Sequence, residues 1–72
     1  MFINFAGIMI NTDYIISIYK TREHDKYFEV NIKLYPTNIP IKEIYTTKEE
    51  QETRFTAIIA EIDNYSGRNK NK

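Results

Sequence analysis

The stretch YFEVNIKLY, Tyr27 to Tyr35, alternates apolar and polar residues almost throughout. On an extended chain Phe28, Val30, Ile32 and Leu34 fall on one side, and Tyr27, Glu29, Asn31, Lys33 and Tyr35 on the other. A period of two predicts a strand with one face in a core. The first set supplies that face. The second set needs water, a neighbouring strand, a protein or a nucleic acid.

Outward from this strand, the wholly polar Thr21 to Lys26 reads as a hairpin loop, with extension of the flanking strands into it left open. Before it, YIISIYK, Tyr14 to Lys20, is rich in β-branched and aromatic residues and reads as a second strand. Ile16 and Ile18 are its expected inward pair, with Ile15, Ser17 and Tyr19 outward. Further upstream, Asn11 to Asp13 forms a polar turn. Phe2 to Phe5 and Ile8 to Ile10 are two short apolar runs punctuated by Gly7. Downstream, Pro36 ends the central strand, because proline cannot donate to a ladder. Ile41 to Tyr45 reads as a short last strand.

Thr47-Lys48-Glu49-Glu50 has the spacing of a capping box. Phe55, Ile58, Ile59 and Ile62 then recur at helical spacing, and acidic residues fill the first turn. Ser66-Gly67 offers a stop. The fold class expected is therefore α+β: a small antiparallel meander of four to five strands packed by one C-terminal helix. Residues 1–65 form the domain, and 66–72 a disordered basic tail. Of the helix stripe, Ile59 is the residue whose removal should threaten the fold.

The chain of 72 residues is one small domain, with limited surface to bury. It has no cysteine and a single histidine, which removes disulfides, thiolate chemistry and cysteine-based or histidine-cluster metal sites. Cysteine-free composition suits a cytoplasmic protein. Ten acidic and ten basic residues cancel, which argues against coating duplex DNA by charge alone. The apolar start lacks a basic leader and a cleavage site, and no run approaches a membrane span. Ile, Asn, Lys, Tyr and Phe, residues with AT-rich codons, make up about half the chain, as in low-GC bacteria and their phages.

Catalytic groups are sparse. His24 lies between Glu23 and Asp25 in the expected loop, a place for a solvated side chain. Two glycines cannot make a phosphate-binding loop. No catalytic, cofactor or metal residues are assigned, and the chain is expected not to be an enzyme. The candidate interaction face is Ile15, Tyr19, Tyr27, Lys33 and Tyr35, with Tyr45 a further member. Tyrosines also suit half-buried sheet surfaces that bind nothing. Association with a protein, a second copy first, would cover Ile15 and the tyrosines. Single-stranded nucleic acid is the alternative partner, its bases stacking on the rings and its phosphates meeting Lys20, Arg22, Lys33 and Lys42.

NTDYIISI, Asn11 to Ile18, preceded by MFINF and followed by a hairpin and a helix, resembles small bacterial and phage proteins of the FlbD-like plan. Phe5-Ala6-Gly7 stands where that plan usually has Leu-Asn-Gly. The resemblance implies the strand-and-helix layout from about Met1 to Asp63, and no site residue is carried over from it. The element order is also similar to the strand-rich unit of single-stranded-DNA-binding transcriptional coactivators, which pair as dimers.

Overall fold

A computed structural model describes the backbone of residues 1–70 and the side chains of residues 1–65. It contains strands β1 (Phe2–Phe5), β2 (Ile8–Asn11), β3 (Ile15–Glu23), β4 (Tyr27–Leu34) and β5 (Ile41–Tyr45), then helix α1 (Lys48–Lys70). The fold is α+β, as the sequence predicts. The strands follow one another antiparallel but form two sheets, β1-β2 and β3-β4-β5. A single 3-10 turn, Thr12–Tyr14, separates them. There the Asn11 side chain accepts from the Asp13 N–H at 3.0 Å.

The β1-β2 hairpin turns on two residues, with Phe5 opposite Ile8. Ala6 and Gly7 both have positive φ, +52° and +76°. Both central positions of the tight hairpin turn require that hand, because it matches the strand twist. At the next hairpin His24 and Asp25 take the same hand, and the Lys26 N–H donates to the Glu23 carbonyl at 2.9 Å. His24 is exposed at this tip, as expected of a loop histidine.

Register sets the faces of the three-stranded sheet. Ile18, Lys20 and Arg22 of β3 share a face with Ile32, Val30 and Phe28 of β4 and with Ile41, Glu43 and Tyr45 of β5. Both α1 and the β1-β2 hairpin pack on this face. The core is Ile3, Phe5 and Ile10 from the hairpin, Val30 and Ile32 from β4, and Ile58 from α1, each at most 2% exposed. Met1, Ile15, Ile18, Leu34, Ile41, Tyr45, Phe55 and Ile62 surround it.

Three expectations are corrected here. The register of β3 shifts between Ile15 and Ser17, leaving Ile16 as an extra residue. A bulge of this kind changes the facing of everything before it. Ile15 therefore packs against the core and Ile16 is 55% exposed, the reverse of strict alternation. The second correction concerns the helix stripe, which is Gln51, Phe55, Ile58 and Ile62. Ile59 is half-buried and stands outside the core group. Buried Gln51 fills the gap between two core rows of the sheet, its Nε2 donating to the carbonyls of Thr21 (3.0 Å) and Glu29 (2.8 Å). The third is the helix end. Its bounds, Lys48–Lys70, carry α1 through Ser66-Gly67. Residues 71–72 of the expected tail lie outside the described residues.

One half of the capping box forms. The Glu50 N–H donates to Thr47 Oγ1 at 3.1 Å, and the Thr47 hydroxyl donates to Glu50 Oε1 at 3.0 Å. The Glu50 carboxylate thus engages the threonine hydroxyl.

Candidate interaction surface

The second face of the three-stranded sheet carries Ser17, Tyr19, Thr21 and Glu23 from β3. It carries Tyr27, Glu29, Asn31 and Lys33 from β4, and Lys42 and Ile44 from β5. Helix and hairpin both lie on the opposite side. Ile44 is 58% exposed, and Tyr19 and Tyr27 are each more than a third exposed.

The centre of this face is polar yet covered. Glu29 is 3% exposed and Asn31 1%. Register places Asn31 between Tyr19 and Lys42, and Glu29 between Thr21 and Ile44, so both are roofed by side chains of the flanking strands. They form a relay. Asn31 Nδ2 donates to Thr21 Oγ1 at 2.8 Å and to the Tyr19 carbonyl at 3.2 Å. The Thr21 hydroxyl donates to Glu29 Oε1 at 2.7 Å, and Lys42 Nζ approaches the same oxygen at 3.4 Å. The hydrogen bond from Thr21 outweighs the cost of burial and, with Lys42, holds the Glu29 carboxyl below the usual glutamate range. Asn31 Oδ1 is buried with no hydrogen-bond partner among the described residues.

The five sequence-predicted residues divide. Tyr19, Tyr27 and Lys33 lie on this face. Ile15 faces the core, for the reason given by the bulge. Tyr35 stands beyond the end of β4, its N–H donating to the Tyr14 carbonyl at 2.8 Å and its side chain 68% exposed. Tyr45 belongs to the helix-covered face, opposite Phe28. Its hydroxyl donates to Glu43, and burial together with that acceptor pushes its pKa up to about 12. Sequence reading missed Thr21 and Ile44 as members of the face, and of the cations it set beside the tyrosines only Lys33 and Lys42 lie there, Lys20 and Arg22 being on the core face. It also missed the burial of Glu29 and Asn31, because the lateral neighbours of a central strand are set by register.

On the opposite side, an open groove of about 490 Å³ runs beside the first turns of α1, past Tyr45, Thr47, Thr53 and Arg54. Arg54 is engaged by Glu43: Nε to Oε1 is 2.8 Å, and Nη2 also donates to the Asn4 carbonyl at 2.6 Å. The Ala6 N–H donates to Glu43 Oε2 at 2.7 Å. Burial pushes the Glu43 carboxyl up, but hydrogen bonds from Arg54, Tyr45 and Ala6 outweigh it and hold the group below its ordinary range. These groups are committed to joining the hairpin, β5 and α1.

Among the described residues no cluster of three metal-ligating side chains occurs, and no helix is long and apolar enough to cross a membrane. No family model, no curated protein and no solved structure gives a significant match to the chain.

Proposed function

We propose that this protein is a non-catalytic association module of the cytoplasm. It would meet protein surfaces, a second copy of itself first, through the β3 side of the open sheet. The observation that carries the reading is the one-sided construction. Every core-forming element packs on one face, while Tyr19, Tyr27 and Ile44 remain exposed on the other side around a sealed polar centre. Exposed apolar side chains gathered on an otherwise uncovered sheet are a common form of contact surface.

Nucleic acid is the less favoured occupant. Asn31, opposite Tyr19, lies four positions from Tyr27 along β4. That separates the two tyrosines by about 13 Å along the strands, too far for stacking adjacent bases. Glu29, held ionised between them, opposes phosphate.

Sedimentation equilibrium over a wide concentration range tests the reading. Mass should rise from monomer to dimer, and Tyr19→Asp should weaken that rise at least tenfold. A monomer at every concentration overturns self-association. Salt-sensitive binding of a labelled single-stranded oligonucleotide by that monomer would assign the face to nucleic acid.

A further inference from the structure

Among the described residues, the long edge of the three-stranded sheet is β3, nine residues with a partner on one side only. Its polar backbone can be oriented from side-chain contacts. The Tyr19 carbonyl accepts from Asn31 on β4, and the Thr21 carbonyl shares Gln51 Nε2 with the Glu29 carbonyl. Both carbonyls therefore point toward β4. Backbone groups alternate along a strand, so the N–H and C=O of Ile18, Lys20 and Arg22 point to the open edge.

Edges are commonly guarded by lysine or arginine. Here both cations are drawn onto the core face. Lys20 Nζ bonds Glu52 on α1 at 2.6 Å and lies 4.9 Å from the Phe55 ring centre. The Arg22 guanidinium lies 4.7 Å from the Phe28 ring centre and donates to the Asp25 carbonyl. The remaining guard is the bulge at Ile16, which limits regular pairing to the part of β3 that follows it.

We infer that Ser17–Thr21 of β3 pairs antiparallel with the same segment of a second copy, about a two-fold axis at Tyr19. This rests on the self-association reading and specifies its geometry. Ile18 faces Lys20 of the second copy and Lys20 faces Ile18, and each pair exchanges two backbone hydrogen bonds. The two Tyr19 residues meet in the close, non-hydrogen-bonded position between them, an aromatic cross-strand pair. Ser17 lies opposite Thr21. No like charges are opposed, whereas an axis at Thr21 would set Lys20 against Arg22, and an axis at Lys20 would set Lys20 against itself. The product is a continuous six-stranded sheet with its sealed polar centres on one face.

The chain has no cysteine, so a single introduced thiol reports the geometry. Tyr19→Cys should form a covalent dimer on mild oxidation, since opposed Cβ atoms in such a pair lie about 4.5–5.5 Å apart, close to disulfide reach. Tyr27→Cys should not, its mate being roughly 26 Å away along the strands. Lys20→Pro removes an edge N–H that no internal ladder uses and should abolish the dimer, while Lys20→Ala should retain it. Circular dichroism of both variants checks that the fold is kept. Ile44→Asp should leave the dimer intact. A dimer lost with Ile44→Asp but kept with Lys20→Pro overturns edge pairing and leaves association through the face. A monomer under all conditions overturns both.

Discussion

Arg54 of α1 and Glu43 of β5 meet at 2.8 Å between Nε and Oε1, and this pair also holds the N-terminal hairpin. Arg54 reaches the Asn4 carbonyl, and Glu43 accepts the Ala6 N–H. Three elements separated by up to 50 residues of sequence thus converge on one ion pair. Both side chains keep partial solvent contact, so screening discounts the Coulombic part. Arg54→Met should cost about 1–2 kcal/mol, drawn mainly from hydrogen bonds to charged groups. Urea unfolding measures it. A double-mutant cycle with Glu43→Gln should show a coupling of at least about 0.5 kcal/mol.

Acid should weaken the fold through two carboxylates. Glu43 and Glu29 both titrate below their ordinary range when folded. Their contribution is fully present above the unfolded glutamate pKa, about 4.3. It is lost as pH falls through the lower folded values. Stability should be flat near neutrality and decline below about pH 4.5 by the same linkage. Arg54→Met should flatten that decline by removing the part of the Glu43 share that Arg54 supplies, Tyr45 and Ala6 keeping theirs. A pH series of unfolding midpoints decides it.

The relay at Thr21 has a separable signature. Thr21→Val deletes the hydroxyl that Asn31 donates to and that donates to Glu29. We expect a loss of about 1–3 kcal/mol for the unsatisfied groups left behind. The Glu29 carboxyl should also titrate at higher pH than in the parent protein, read by NMR of the side-chain carboxyl carbon. An unchanged Glu29 titration would show that the groups other than Thr21, Lys42 first, hold it ionised.

Neighbouring isoleucines on α1 should behave differently. Ile58 is 1% exposed in the core, and Ile58→Ala should cost about 2–5 kcal/mol. Ile59 is only partly buried and outside the core group, and Ile59→Ala should cost about 1–2 kcal/mol, in line with its smaller buried area and the absence of a sealed cavity. Thermal or urea unfolding of the two variants ranks them.

The first hairpin carries strain that one substitution relieves. Ala6 has φ +52°, a conformation that costs an L-residue about 1–2 kcal/mol. Its contact to Glu43 is through the backbone N–H and survives substitution. Ala6→Gly should therefore raise stability by about 0.5–1 kcal/mol, and Gly7→Ala should lower it although open space surrounds that position.

Much of the fold is legible in local patterns. The alternation of Tyr27 to Tyr35 fixes β4, and Thr47 with Glu50 marks the helix start, because these signals act over two to four residues. Gly7 marks the first turn for the same reason. The facing of Ile15 and Ile16 is not legible. The run Ile15-Ile16-Ser17-Ile18 suits either register, and only pairing with Leu34 and Lys33 places the bulge. Ile58 and Ile59 likewise share a helical stripe, and the position of the hairpin and sheet decides which one is sealed.

For the surface, the sequence alone placed Tyr19, Tyr27 and Lys33 on a common side of two strands, because side-chain direction follows from strand period. It also determined the element order, the poverty of catalytic groups and the one-helix architecture. Tertiary structure decided the rest. Glu29 and Asn31 are buried because β3 and β5 flank them, and Tyr45 joins the Glu43–Arg54 pair because β5 sets it opposite Phe28 on the helix-covered face. Register puts Lys20 of the β3 edge on the core face, where Glu52, 32 residues away, holds its ammonium. Local periodicity reports which way a side chain points. Only long-range pairing determines what stands beside it.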